Sequence, residues 1–271
     1  MRLFRRSLKN HRMDKLARAS AQDRRDLFSD VAAKLGIRPT IIEKDFWVCL
    51  VLRILFVDSP YRENLVFKGG TSLSKVFQLI NRFSEDIDLV LDWKVLGAAQ
   101  DLAQDLGSKS KQDRFNKEIN RLAGVFITEN ICPRLNEIFQ QAKIDLTAKV
   151  AENDPQVVNI LYPAAFSEEY IRPEVRLEIG PLASWVPSAA HTVRPYAYDV
   201  HPGLFESPDC PVVAISAERT FWEKATILHQ EAHRPGLIPD RHSRHYYDLY
   251  KLALSPSGTR HWPTFSCFVT L

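Results

Sequence analysis

The stretch Lys68–Leu91, KGGTSLSKVFQLINRFSEDIDLVL, decides how the rest of the chain is read. The apolar run Leu65-Val66-Phe67 just before it reads as a short strand entering a Gly69-Gly70 turn. From Thr71 the period changes: Leu73, Val76, Phe77 and Ile80 recur at i, i+3, i+4 and i+7, one face of a helix. Residues 81–85, NRFSE, link that helix to a second strand over Asp86–Leu91. A side-chain period of two puts Asp86, Asp88 and Val90 on one face of this strand and Ile87, Leu89 and Leu91 on the other. Two like charges on one face add nothing to the stability of a buried strand, and without a cation one of them takes up a proton. Two carboxylates aimed the same way suit a hard divalent ion such as Mg²⁺, which binds oxygen and keeps phosphate and water in its other positions.

The glycines raise the weight of the aspartate pair. A Gly-Gly turn lets the backbone come close to a phosphate. Thr71 and Ser72 would present hydroxyls and free N–H groups at the positive end of the helix. Alone, such a turn is ordinary structure with an N-capping hydroxyl; beside the aspartate strand it makes a phosphate cradle next to metal carboxylates. A third acid comes from RPEVRLEIG, residues 172–180, read as another strand, where Glu174, Arg176 and Glu178 share one face and Val175, Leu177 and Ile179 the other. If this strand pairs with Asp86–Leu91, one glutamate completes a three-carboxylate site. Glu178, bracketed by Leu177 and Ile179, is the better placed, with Glu174 the alternative.

Outward from this centre the pattern is short strands among helices, an α+β or mixed α/β arrangement. Leu27, Val31 and Leu35 predict a helix stopped by Gly36, and Ile42, Phe46, Leu50 and Ile54 a second one from Pro39 to the turn cluster DSPYREN. Residues 98–150 read as mainly helical with breaks near Gly107 and Pro133. VVNILYP, residues 157–163, reads as a strand, and Pro-rich irregular sequence is expected through Pro211. Helices close the chain at residues 216–232 and 243–254.

The chain has 271 residues, 45% of them hydrophobic and 25% charged, enough for a full core. No apolar run reaches the roughly 20 residues of a membrane-spanning helix. The basic N-terminus lacks the apolar region of a secretory signal, so a cytoplasmic protein is expected. The scattered cysteines Cys49, Cys132, Cys210 and Cys267 match neither a zinc ribbon nor a disulfide framework. Net charge is +3, but residues 1–25 hold nine Lys or Arg against two Asp, a basic arm suited to nucleic-acid phosphates. His229 and His233 sit at i, i+4 as zinc-protease ligands do, but the glutamate is misplaced and Pro235 ends the helix, so a zinc site is rejected.

The motif KGGTSLSK…RFSEDIDLVL resembles the nucleotidyltransferase-fold toxins of the AbiEii/AbiGii type, which include the MenT-like toxins. IEKDFWVCLVLRILF looks like the N-terminal helix of that family, RLEI like its third-acid strand, and ERTFWEKATILHQEAHRP and SRHYYDLYKL like its C-terminal helical motifs. The resemblance implies a polymerase-β-like core, a small mixed sheet with flanking helices, between N- and C-terminal helical parts, with boundaries at 1–60, 61–200 and 201–271. It implies Asp86, Asp88 and Glu178 as ligands of Mg²⁺ or Mn²⁺, and Glu178 as base. Gly69, Gly70 and Ser72 would cradle phosphates, with Lys68, Thr71, Lys75 and Arg82 also binding nucleotide. Lys224 and Asp248 would enter the site from the C-terminal helices. The implied co-substrate is an NTP, the acceptor an RNA such as the 3′ end of tRNA, and the partner a cognate antitoxin. Relatives of this type continue further than the irregular sequence after Leu254, which leaves truncation or a shifted reading frame as an expectation.

Overall fold

The computed structural model describes residues 12–97, 108–168, 172–183, 185–205, 209–236 and 242–255. Among these, seven strands form one mixed sheet: β1 (Leu65–Lys68), β2 (Asp86–Leu91), β3 (Thr147–Ala151), β4 (Asp154–Leu161), β5 (Glu174–Gly180), β6 (Ser188–Val193) and β7 (Cys210–Ile215). Their order across the sheet is β3-β4-β5-β2-β1-β7-β6. The β2/β5 and β1/β7 pairs are parallel and the rest antiparallel.

Alternation gives the sheet two unlike faces. Ile87, Leu89 and Leu91 of β2, with Val175, Leu177 and Ile179 of β5, enter the main core. That core also takes Met13, Phe28, Phe46 and Trp47 from helices α1 (Arg12–Ala17), α2 (Ala21–Leu35) and α3 (Pro39–Arg53), so the N-terminal helices and the sheet share one apolar interior. On the opposite face Val66, Val90 and Ile215 form a small cluster, and the polar side chains of β2 and β5 stand beyond it.

Helix α3 is buried on nearly all sides, and its charged residues serve as internal anchors. Glu43 accepts from the backbone N–H groups of Ala165 (2.8 Å) and Phe166 (3.2 Å). Lys44 pairs with Glu85 at 2.9 Å, and Asp45 with Lys75 at 2.6 Å while accepting from Tyr196 N–H at 2.7 Å. Buried charges persist only when paired and hydrogen-bonded. These pairs therefore fix the N-terminal helices to the segments on either side of β2.

Several sequence expectations are corrected. The helix expected from Thr71, α4 (Gly69–Lys75), already begins at the two glycines and stops well before Ile80, with Gln78 in a left-handed backbone at φ 54°. Ile80 nonetheless packs with Leu73, joined by Ala217 and Leu252 of the C-terminal helices. In α2 the buried positions include Phe28 and Val31, while Leu35 is exposed. Helices α5 (Lys109–Phe126) and α6 (Cys132–Ala142) run on through one wide turn at Ile127–Ile131 instead of breaking at Pro133, which sits in the first turn of α6, where its missing N–H costs nothing. The stretch expected to be irregular through Pro211 holds β6, the short helix α7 (Tyr196–Val200) and β7. Pro211 falls near the start of β7, away from the β1 pairing at Ala214, where a missing ladder N–H is tolerated, and Cys210, Val212 and Ala214 are buried. Helices α8 (Ala217–Ala232) and α9 (Ser243–Ala253) lie where they were expected. The basic arm lies outside the described residues over 1–11, as do residues 98–107 of the expected helical stretch and the irregular C-terminus from residue 256, with Cys267 in it. No helix among the described residues is long and apolar enough to cross a membrane.

Arg53, at the end of α3, is 3% exposed and bridges Asp14 (2.5 Å) and Asp58 (2.9 Å). Arg53→Leu leaves both carboxylates without it and is expected to destabilise the protein by about 3–5 kcal/mol. Urea denaturation checks this as a lower midpoint at unchanged slope.

Candidate active site

The strand register brings the acids together. Asp88 lies opposite Lys68 of β1 on one side and Glu178 of β5 on the other, and Asp86 lies opposite Arg176. Glu174 sits at the far end of β5, paired in register with Leu161 of β4, so Glu178 is the glutamate beside Asp88. The three carboxylates do not converge as a ready three-ligand metal cluster. Glu178 is turned instead to Arg176, with Nε donating to Oε1 at 2.9 Å.

The glycine turn closes on this strand. Gly69 has φ +78°, and a Cβ there would overlap the Asp88 carboxylate, so both the backbone conformation and the space require glycine. A Cβ on Gly70 would meet Arg82 Nη2 at 2.7 Å and Ser84 Oγ at 2.8 Å. Thr71 and Ser72 turn inward and are fully buried, in contrast to the expected display of hydroxyls. Thr71 Oγ1 donates to the Asp86 carbonyl at 2.5 Å and so ties α4 to the aspartate strand. Ser72 Oγ has no hydrogen-bond partner among the described residues.

Asp248 on α9 is fully buried and is the node of the cationic side. Arg82 Nε and Nη2 each donate to its carboxylate at 2.7 Å, and Lys224 Nζ of α8 lies 3.0 Å away. Burial pushes the Asp248 carboxyl up, but the Arg82 hydrogen bonds and the Lys224 charge outweigh it and hold the group below its ordinary range. Asp248 thus sets the positions of two cations. A cleft of about 230 Å³ lies between these groups. Strand β2 contributes Asp86 and Asp88 to it, and the turn with the following segment contributes Gly70, Arg82 and Ser84. Lys224, His242, Arg244 and His245 enter from the C-terminal helices.

The remaining expected residues divide. Lys68 stands next to Asp88 and pairs with Glu223 at 3.5 Å. Lys75 is not brought to the cleft: its ammonium is buried against Asp45 and lies 4.0 Å from the centroid of the Tyr196 ring. Ser84 was not singled out by sequence; His242 and His245 are expected from sequence only to lie near Lys224 and Asp248, and Arg244 only as an ion-pair partner of Asp248, which pairs with Arg82 and Lys224. Ser84 sits inside the RFSED motif, a usable signal, whereas nothing local separates His242 and His245 from ordinary loop histidines.

The electrostatics of the cleft are dominated by burial of its acids. Burial, then Glu178, then Glu85 push the Asp86 carboxyl up, against Arg176 and Lys44. Asp88 is pushed up to about 7 by burial and Glu178, with Lys68 and Lys224 opposing. All three acids are oxygen donors of the kind Mg²⁺ prefers, and the repulsion that Glu178 exerts on Asp86 and Asp88 is what a divalent cation would relieve.

Carboxylates on neighbouring strands, a glycine turn pressed against them and paired cations thus meet at one small cleft. The family model of the nucleotidyl transferase AbiEii toxin of type IV toxin–antitoxin systems matches residues 50–261, and the chain belongs to that family. Among solved structures, the nucleotidyltransferase toxin MenT4 from Mycobacterium tuberculosis aligns with 74% of this chain at 18% identity and a TM-score of 0.44. The chain spans 58% of that protein's length. No curated protein matches.

The raised Asp88 carboxyl sets a pH dependence. Its proton is held more tightly in the folded than in the unfolded chain, so stability is lost as pH rises from about 4, the unfolded value, to about 7. In EDTA the contribution of Asp88 to stability is expected to fall by roughly 3 kcal/mol across that window, read as the difference between the pH profiles of wild type and Asp88→Asn. Urea midpoints measured at intervals of pH check this.

Proposed function

We propose that this chain is a Mg²⁺-dependent nucleotidyltransferase that moves a nucleotide from an NTP to an RNA acceptor, the 3′ end of tRNA, and so blocks translation. The observation that carries the reading is the register that sets Asp86, Asp88 and Glu178 side by side against the Gly69-Gly70 turn. Asp86 and Asp88 would hold the cation, and Glu178 joins them by exchanging Arg176 for it. Bound there, Mg²⁺ would neutralise the triphosphate and stabilise the oxygens of an in-line displacement at phosphorus.

The chain's own groups supply the rest. The Gly69-Gly70 backbone, bare of side chains, leaves room for phosphate beside Asp88. Lys224 and Arg82, held by Asp248, place positive charge across the cleft where negative charge builds during transfer. Asp248 is a positioning residue in this scheme, because both of its oxygens are engaged by the cations it holds. Glu178, the outermost of the three acids, accepts the proton of the acceptor hydroxyl. A cognate antitoxin would restrain the enzyme, as the type IV description of the family implies. The setting is the cytoplasm, where NTP and tRNA meet.

The test is incubation with each labelled NTP, Mg²⁺ and total tRNA. Label is expected on tRNA 3′ ends and is expected to vanish in Asp86→Ala. Asp248→Asn is expected to slow transfer about 100-fold by releasing Lys224 and Arg82. Label transfer that persists in the Asp86→Ala/Asp88→Ala double variant would overturn the metal-site assignment.

A further inference from the structure

A second, larger cavity lies beside the cleft. It is a groove of about 940 Å³, roughly four times the volume of the acidic cleft, and the two share Arg82 in their lining. The groove runs between the start of α3, the segment after α4 and the β6–α7 connection, and is edged by Arg38 and Arg194. Arg38 pairs with Glu168 at 3.1 Å and Arg194 with Asp209 at 2.5 Å; both guanidiniums and Asp209 are exposed, while Glu168 is half-buried and also accepts from Thr40 Oγ1 at 2.8 Å. Exposed pairs of this kind contribute little, so these guanidiniums can exchange carboxylate for phosphate at small cost. The exposed amides of Gln78 and Asn81 add hydrogen-bonding groups to the lining, and neither side chain is bonded among the described residues. Gln78 reaches its place through a left-handed backbone, a conformation that a non-glycine residue rarely adopts.

From this geometry we infer that the groove is the acceptor site and binds the single-stranded end of an RNA chain. The phosphodiester backbone lies against Arg38 and Arg194, the amides of Gln78 and Asn81 meet base edges, and Arg82 is the wall shared with the catalytic cleft. The inference rests on the nucleotidyl-transfer reading and adds to it a location for the second substrate. Of the four cations in the lining, Lys75 and Arg82 are held by the buried carboxylates of Asp45 and Asp248, which leaves Arg38 and Arg194 as the cations open to a polyanion. Planar guanidiniums and side-chain amides are the groups that bind phosphate and unpaired base edges. The acidic cleft, about 230 Å³, is sized for a triphosphate and leaves an extended strand to the neighbouring groove.

The experiment measures anisotropy of a fluorescent single-stranded RNA oligonucleotide with wild type, Arg38→Ser/Arg194→Ser and Arg38→Lys/Arg194→Lys, over a series of salt concentrations. The serine double variant is expected to raise Kd at least about tenfold and to lower the salt slope by about 1.4, two phosphate contacts at ~0.7 each. The lysine variant is expected to keep the slope. Equal Kd and slope in wild type and serine variant overturn the inference. So does a polyglutamate peptide that binds wild type more tightly than the RNA does and is lost in the serine variant. Labelled-NTP transfer separates the two levels of the account. If wild type labels RNA and the serine variant does so with the same KM, the groove assignment fails and the transferase reading stands. If RNA binding depends on the two arginines but no NTP is transferred, the groove stands as an RNA-binding site while its role as acceptor site fails with the transferase reading.

Discussion

The structure turns on one electrostatic constraint: Asp86 and Asp88 share a face of β2, and the parallel neighbour β5 sets Glu178 beside Asp88. Burial and then the charge of Glu178 push both aspartates up, with Asp88 reaching about 7. A fold seeking only stability would put apolar side chains there, as it does at Val90, one step along the same face. The surroundings answer the constraint with cations held at a distance. Lys68 and Lys224 lower the cost at Asp88, and Asp248 keeps Lys224 and Arg82 in place across the cleft. The acids are left short of compensation, and in the proposed function that shortfall is what would favour a bound cation with its triphosphate.

The scaffold keeps this arrangement from relaxing. Main-core side chains on the back of β2 pin its register, since a slip of one residue would turn Asp86 and Asp88 into the core. Thr71 joins α4 to the carbonyl of Asp86, and Gly69 packs against the Asp88 carboxylate, where no other residue fits. Lys44 grips Glu85, the residue just before β2, and Asp45 grips Lys75 at the end of α4. Buried charges of α3 therefore fasten both flanks of the glycine turn and the aspartate strand.

Much of this was legible in the sequence because it is local. The bounds of β2 followed from alternation, the turn from Gly69-Gly70, and α8 and α9 from helical periodicity. Glu178 was favoured over Glu174 because it lies deeper in the strand, and the parallel register with β2 sets it beside Asp88. What escaped was governed by distant partners. Phe77 and Ile80 continue the apolar period of α4, but the chain leaves the helix at Gln78 so that Ile80 can reach Leu252. β7 was obscured by Pro211, although the alternation of Cys210, Val212 and Ala214 was there to read. Lys75 looked like part of the phosphate motif because its burial partner, Asp45, lies 30 residues earlier. The grip of Asp248 on Arg82 spans 166 residues and has no signature in either segment.

The most direct test of the central claim is a crystal structure with Mn²⁺ and a non-hydrolysable NTP, read by anomalous scattering. A manganese peak within roughly 2–2.5 Å of oxygens of Asp86 and Asp88, with Glu178 released from Arg176 and the triphosphate against Gly69-Gly70, is the predicted result. A triphosphate bound elsewhere, or manganese that leaves Asp86 and Asp88 without a ligand bond, would contradict the account.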